Sequence, residues 1–411
     1  MKISKLIIVL AMAFGAGVMA MAQETSPYSK YGYGILGDNA TSAQRQMGGV
    51  GYAMNSGRQI NVMNPASYAA IDSLTFLMDM GVDFSILSRK DNAGSSHDYG
   101  GGLDYLTIQF PVTRYLGVSA GLLPYSSVGY AFGNKIENGS MSHQGSGGIN
   151  QLYLGVGATP FKNFRIGANV SYLFGSTYND VYATTSSASS ALFEQVLEVK
   201  DYHLQFGAQY SIDLSRRNRV SIGVVFPPAK TLLGHTYVQQ YIVNSTAAPD
   251  TVAYENLRNN FSLPDTWGAG IAYEWNRRLL VELDFTYQNW GKAKYKQIEN
   301  FSATELTDRW KVALGASYTP NPRGGYFKRM TYRVGGFFNH DYIKVNGNDV
   351  REYGVACGFG FPAASNKTII NLGFEYRHRQ AHPNPLLKED YFNFTLGVNF
   401  NQSWFFKSKI R

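Results

Sequence analysis

The feature that most constrains the fold of this chain is a period-two alternation of side chains that recurs from Leu74 onward. Between 391 and 400, apolar residues from Phe392 to Phe400 occupy every second position, and the residues between them are mostly polar or small. Segments 202–213 and 279–288 repeat this pattern. Successive side chains of an extended chain point to opposite faces, so each segment predicts a β-strand with one apolar and one polar face. A soluble antiparallel sheet would show the same alternation, so strand number and spacing must distinguish the two.

The connections between the predicted strands alternate in length. The pattern predicts about fourteen strands, at 75–87, 103–112, 116–130, 150–160, 164–175, 201–213, 219–227, 266–275, 279–290, 309–319, 330–340, 352–361, 368–378 and 391–400. Short connections such as 161–163 and 276–278 take turns with long ones such as 131–149, 176–200 and 228–265. An even number of strands, with short turns at one end and long loops at the other, is typical of bacterial outer-membrane barrels. We therefore predict an all-β fold, a transmembrane antiparallel β-barrel of about 14 strands with both termini in the periplasm. Segment 228–265 leaves room for a further hairpin around Thr236–Val243.

Residues 1–22 have the composition of a signal peptide. Lys2 and Lys5 form a basic start, 7–17 is largely apolar, and 20–22 offers small residues for cleavage. No later segment reaches the ~18 uninterrupted apolar residues that a spanning helix needs. The net charge of +8 is spread along the chain, which suits contact with membrane lipids and lipopolysaccharide and argues against nucleic acid as a partner. The sequence thus predicts export to the bacterial outer membrane.

Residues 23–73 do not alternate, and they are rich in glycine. They include the phrase Asn64-Pro65-Ala66-Ser67. A segment of this length is too short to form a core of its own. We therefore predict that it is a hatch, or plug, in the lumen of a barrel formed by 74–400, with 401–411 as a periplasmic tail.

No motif in the chain predicts enzyme chemistry. Gly32-x-Gly34-x-x-Gly37 has the letters of a dinucleotide site but follows no strand and opens no βαβ unit. His378 and His382 are four apart, but they enter a loop that contains two prolines, so loop polarity explains them better than a metal site. We expect a protein that is not an enzyme and has no cofactor, metal or catalytic residue.

Two features of the predicted wall invite a functional interpretation. Pro124, followed by Tyr125 and Gly129, lies in the third strand, where proline removes a ladder hydrogen bond. Either the wall kinks there and opens a gap between strands, or the strand ends and a loop begins. Charged residues on the polar faces form either a paired network against the plug or a contact to an anionic head group. The arginines considered for that contact are Arg165, Arg309, Arg333 and Arg377.

Together, the signal peptide, the glycine-rich hatch with Asn64-Pro65-Ala66, the strand number and the Pro-Tyr break resemble the FadL-type outer-membrane transporters of long-chain fatty acids and other hydrophobic compounds. Ser67 stands where that family has glycine. The look of the hatch is closest to relatives from Bacteroidetes-type bacteria. The resemblance implies that a fatty acid or hydrocarbon binds an apolar groove outside, passes to a pocket above the hatch and leaves sideways through the kink.

The resemblance leaves the details of the groove and the role open. Leu192, Phe193 and Val196 are candidates for the apolar groove; they fit a short amphipathic helix and ordinary loop packing equally well. Some FadL-like barrels of these bacteria instead serve protein secretion and bind an exported protein. The basic tail 407–411 could contact such a partner or be solvated. A general porin is the remaining alternative.

Overall fold

A computed structural model describes residues 26–91, 94–136, 139–185, 190–233, 235–243, 250–256, 260–296, 305–363, 368–385 and 387–404. The predicted signal peptide and the basic end of the tail lie outside these described residues.

Fourteen antiparallel strands form a closed wall. Each strand pairs with the next, and β1 pairs with β14 from Thr75 opposite Ser403 to Lys90 opposite Lys388, which closes the barrel. The predicted fourteen-stranded barrel is confirmed. The strands are β1 Thr75–Lys90, β2 Ser95–Thr113, β3 Leu116–Ser127, β4 Gly139–Phe161, β5 Phe164–Thr185, β6 Ser190–Asp213, β7 Asn218–Phe226, β8 Thr266–Trp275, β9 Leu279–Gln288, β10 Arg309–Tyr318, β11 Thr331–Val345, β12 Asn348–Pro362, β13 Ile369–His382 and β14 Lys388–Ser403.

The outside of the wall is apolar. On β8, for example, Trp267 and Ile271 are exposed, whereas Gly268 and Ala272, each next to one of them, face inward and are buried. Large apolar side chains that remain exposed around a closed barrel mark a surface covered by lipid. Within the described residues, no helix is long and apolar enough to span a membrane.

The two ends of the barrel differ. At one end, here called the turn end, the strands are joined by connections such as Arg114–Tyr115 and Asn276–Arg278. Asn276 and Arg277 both have positive φ, as the tight turn from β8 to β9 requires, and Arg278 N–H donates to the Trp275 carbonyl at 2.9 Å. A helix at Tyr326–Arg329 lies in the longest of these connections.

At the other end, here called the loop end, most of the predicted loops are strand, so the predicted boundaries are wrong there. β4, β5 and β6 continue well beyond the predicted strands. The predicted extra hairpin in 228–265 is present as strands His235–Val243 and Asp250–Asn256, the first of which pairs with β6. Above the lipid no apolar outer face is needed, so backbone pairing continues without an alternating sequence pattern. Shorter elements at this end are the strands Tyr130–Ile136, Lys230–Thr231, Ser262–Leu263 and Glu305–Leu306 and the 3₁₀ helix Trp290–Lys292.

Residues 26–72, here called the hatch, lie inside the barrel. They contact opposite sides of the wall, since Pro65 lies against Gly167 of β5 and Met47 lies against Gly335 of β11. The hatch contains the 3₁₀ helices Pro27–Lys30 and Pro65–Ala70, the short strand Ile35–Leu36 and one helical turn, Ser42–Arg45.

The first described residue of the hatch, Ser26, lies at the loop end; the two termini, which the sequence predicts in the periplasm, lie outside the described residues. Ser26 N–H donates to the carbonyl of Gly129, just beyond β3, at 2.7 Å. Its hydroxyl donates to the carboxylate of Glu389, at the loop end of β14. Trp404 lies at the turn end, where its N–H donates to the Leu74 carbonyl. The alternation of connection lengths describes only the wall, so it could not predict a hatch that runs the length of the lumen.

Candidate functional site

Two carboxylates of β9 hold the middle of the hatch. Asp284 accepts the backbone N–H groups of Gly51 and Tyr52 at 2.7 and 3.0 Å. Glu282 accepts those of Ala53 and Met54, also at 2.7 and 3.0 Å. All four donors are buried, and a carboxylate is a strong acceptor for buried N–H groups. These two acidic side chains therefore face the plug and bind its backbone; no ion pair of either is seen among the described residues.

Inward-facing glycines of the wall let the hatch backbone come close. A Cβ on Gly167 would lie 2.4 Å from the carbonyl carbon of Pro65, and one on Gly335 would lie 2.1 Å from that of Met47. Glycine inside a strand often marks such a close approach. The sequence contained this signal in inward-facing pairs such as Gly155 and Gly157, and the prediction did not use it.

The predicted hatch motif Asn64-Pro65-Ala66-Ser67 fixes a turn against β6 and β7. The Asn64 side chain accepts the Ala66 N–H at 3.1 Å, which caps the 3₁₀ helix, and donates to the Tyr52 carbonyl at 2.7 Å. The Ser67 hydroxyl donates to the Asn61 carbonyl at 2.9 Å. All four motif residues are buried. The motif thus positions the hatch and does not face an open cavity.

Pro124 lies where the wall loses continuity. β3 pairs with β2 only as far as Leu122 opposite Leu106. Beyond that point β3 still pairs with β4, with an irregularity at Tyr125. Among the described residues, the β2 edge from Ser95 to Tyr105 has no partner strand on the β3 side.

The hatch occupies part of the β3 edge that β2 leaves unpaired. Ile35 and Leu36 pair with Ser127 and Ser126 of β3. The Gly37 N–H donates to the carbonyl of Tyr125 at 2.8 Å. The gap in the wall is therefore lined on its inner side by the hatch.

A cavity of about 110 Å³ lies beside this gap. It is lined by residues of the hatch, of β3 and β6 to β10, and of the chain around Pro227 and Pro264: Gly37, Asp38, Asn39, Gly49, Tyr52, Met63, Tyr125, His203, Gln205, Val225, Pro227, Pro264, Thr266, Asp284, Thr286, Gln288, Arg309, Lys311 and Ala313. Tyr125 and Gly37 belong to both the gap and the cavity. A small polar cavity of about 10 Å³ shares Asp38, Arg309 and Lys311 with it.

The charges in the cavity centre on Asp38. Its carboxylate lies 2.6 Å from the Lys311 ammonium and 3.6 Å from the Arg309 guanidinium. Burial works to raise the pKa of the Asp38 carboxyl, but the two cations together hold that pKa below its ordinary value. Asp38 and Lys311 are 273 positions apart, so no local sequence pattern pairs them.

The four arginines considered for a head group do not form one site. Arg309 lines the cavity and donates to Gln288 and Asn339. Arg377 lies beside the smaller cavity, 3.2 Å from Glu352. Arg333 is held deeper in the lumen by Gln46 and Asn371, both at 2.9 Å. Arg165 lies at the turn end, near Ser211.

An apolar cluster closes the lumen at the loop end. Tyr33 is fully buried there; its ring lies 5.5 Å from that of Trp290, and its hydroxyl donates to the Ser262 carbonyl. The cluster also includes Tyr28 of the hatch and Leu197 of β6.

The proposed groove residues Leu192, Phe193 and Val196 lie near this end in β6, so the helical interpretation is wrong. They pair with β5 on one side and with His235–Val243 on the other. Val196 is buried, whereas Leu192 and Phe193 are half-buried.

The described part of the chain contains no group of three or more His, Cys, Asp or Glu residues placed to hold a metal ion. The main polar groups of this part are instead the two acidic side chains of β9 that bind the hatch backbone, and Lys311 and Arg309, which line the cavity.

Comparison with known protein families identifies the family of this chain. The chain matches the family model described as BamG over residues 2–411. The chain belongs to the BamG family. No curated protein matches this BamG-family chain.

Solved structures share the fold of this BamG-family member at low sequence identity. The Pseudomonas putida toluene transporter TodX is 14% identical with a TM-score of 0.62, over 90% of this chain and 99% of that one. The Ralstonia pickettii toluene transporter TbuX is 13% identical with a TM-score of 0.60, over 88% and 98%. A Pseudomonas aeruginosa FadL homologue is 11% identical with a TM-score of 0.62, over 89% and 99%. The likeness to FadL-type barrels therefore holds for the fold.

Proposed function

We propose that this barrel carries hydrophobic small molecules, of the long-chain fatty acid or hydrocarbon class, across the bacterial outer membrane. The loop end faces outside and the turn end faces the periplasm, as connection length indicates. Structures with the same fold are named as toluene transporters and as a FadL homologue. A lumen filled by the hatch argues against the general-porin alternative.

The observation that carries the proposal is the gap between β2 and β3 beside a cavity. A ligand in the cavity is separated from the gap by Gly37 and Tyr125, which one hydrogen bond joins. Release of that bond and of the two-residue strand Ile35–Leu36 opens a sideways route to the lipid. Such a route keeps an apolar molecule out of the aqueous periplasm. The free-energy cost of exposing such a molecule to water is proportional to its exposed apolar area.

The chemistry of the cavity favours a ligand with an anionic head group. Lys311 and Arg309 face a single hatch carboxylate, Asp38. A ligand carboxylate takes the place of Asp38 and so frees the hatch segment that covers the gap. The volume of about 110 Å³ compares with roughly 150 Å³ for a cavity that binds benzene. It holds a head group, and a long chain requires the hatch to move.

Mass spectrometry of the lipids that co-purify with the detergent-extracted protein tests the proposal. Bound fatty acids or similar amphiphiles, depleted in a Lys311→Ala variant, are expected. A wild-type protein that carries only detergent would contradict transport of this class. In planar bilayers we expect negligible conductance, and large steady currents would restore the porin alternative.

A further inference from the structure

The turn-end connections that the structure describes from end to end are all basic. Each described turn between consecutive strands contains at least one Lys or Arg, and none contains Asp or Glu. The basic residues are Arg114, Lys162, Arg216, Arg217, Arg277, Arg278, Arg323, Lys328 and Arg329. The wall itself carries charges of both signs, so this bias belongs to one end of the molecule.

Some of these arginines surround a cleft at the mouth of the lumen. The cleft has a volume of about 820 Å³, within the roughly 300–1,000 Å³ of ligand pockets. Its floor is the hatch from Met54 to Gln59, together with Ala70 and Asp72. Its rim includes the turns that carry Arg277, Arg278 and Arg323.

Two acidic residues line the cleft, against six arginines, and one of the two is held in an ion pair. Asp72 lies 3.5 Å from Arg58 at an exposed ion pair. Glu274, the other, is the backbone register partner of Arg219, whose guanidinium lies 2.7 Å from Asp213 outside the cleft lining.

Three rim arginines keep their charge available. Arg277, Arg278 and Arg323 have no carboxylate within ion-pair distance among the described residues. Arg277 and Arg323 are exposed, and Arg278 is half-buried. The cleft therefore presents guanidinium groups to the aqueous phase.

We propose that this basic cleft docks an acidic segment of a periplasmic or exported protein. Guanidinium groups bind carboxylates through two parallel hydrogen bonds, and Met54, Ala70 and Leu280 add apolar contact. A peptide is favoured over a lipid head group because the cleft opens along the barrel axis. The exposed aromatic residues Phe161 and Phe327, which mark the lipid interface, lie outside the cleft lining. The proposal requires the turn end to face the periplasm but does not depend on transport.

Fluorescence anisotropy with a labelled decaglutamate peptide tests this on the full-length protein in neutral-lipid nanodiscs. The cleft variant Arg277→Gln/Arg278→Gln/Arg323→Gln should bind the peptide about tenfold more weakly than wild type, since three exposed ion pairs are lost. The matched control Lys162→Gln/Arg216→Gln/Arg217→Gln removes the same charge from turns outside the cleft and should bind within about twofold of wild type.

Three outcomes overturn the proposal. One is equal weakening by both triple variants, which would indicate diffuse attraction to the whole basic end. Another is the absence of decaglutamate binding to wild type at low salt. The third is cleft-dependent binding of soluble dihexanoylphosphatidylglycerol without peptide binding, which would assign the cleft to a lipid head group. The amount of lipid that co-purifies with the cleft variant should equal the amount that co-purifies with wild type. Failure of the docking proposal can therefore be distinguished from failure of the transport proposal.

Discussion

Replacement of Glu282 by alanine tests how the hatch is held. The change removes the acceptor of the Ala53 and Met54 N–H groups, which are buried and 2.7 and 3.0 Å from the carboxylate. A buried donor left without an acceptor costs about 1–3 kcal/mol. For two donors the free energy of local hatch opening should fall by about 2–6 kcal/mol. Exchange of these amides should therefore accelerate by roughly one and a half to four orders of magnitude.

Hydrogen–deuterium exchange with mass spectrometry measures the effect on the peptide that covers 51–54. Glu274→Ala is the matched control, because Glu274 also faces inward on a neighbouring strand but accepts no hatch amide. Heat-dependent gel mobility reports whether each barrel has closed. Unchanged exchange at 51–54 in a correctly folded Glu282→Ala protein would refute the anchoring role and leave packing against the wall glycines as the force that seats the hatch.

Three further predictions concern the gap, the cavity and the wall. Pro124→Ala restores an N–H at the point where β3 leaves β2 and should reduce fatty acid uptake at least about threefold without loss of heat-dependent mobility; normal uptake would remove the gap from the proposed route. Asp38→Asn should raise the affinity of laurate, measured by calorimetry, up to about tenfold and leave toluene binding unchanged. The pKa of Asp38 is depressed, so its ion pair with Lys311 is complete above the ordinary carboxyl pKa of about 3.9 and is lost only as the pH falls through the folded value. The gain in laurate affinity should therefore be constant from about pH 6 to 8. A variant that binds laurate like wild type would contradict competition between Asp38 and the ligand. Gly335→Val places a side chain against Met47 and should destabilise the hatch by about 1–3 kcal/mol. Current bursts in planar bilayers measure this effect. Gly102 has open space around it, so Gly102→Val should produce no bursts.

The sequence predicted the part of the fold that the lipid imposes. A strand in contact with lipid must alternate, so the wall strands and their inward faces, including Glu282 and Arg309, could be read from the pattern. Above the lipid that requirement ends. The extensions of β4 to β6, where segments such as 139–148 carry mainly polar and glycine residues on both faces, were consequently assigned to loops.

The candidate site depended on contacts that no local pattern encodes. Pro124 marked the gap because proline lacks an N–H, which is a property of one residue. The pair of Asp38 and Lys311 depends on how the hatch threads the lumen, and the hatch has no periodicity to predict its path. The same holds for the position of Ser26, which the parity of wall connections could not reveal.

The path of the hatch changes how the membrane crossings of this protein are counted. Fourteen crossings run through lipid, and the hatch adds one more through the interior, from Ser26 at the loop end to Asp72 at the turn end. The total is odd, so Ser26 and Trp404 lie at opposite ends of the barrel. A peptide tag inserted beside Ser26 should thus be reachable by antibody near the cell surface, while one inserted beside Trp404 should be protected until the envelope is opened.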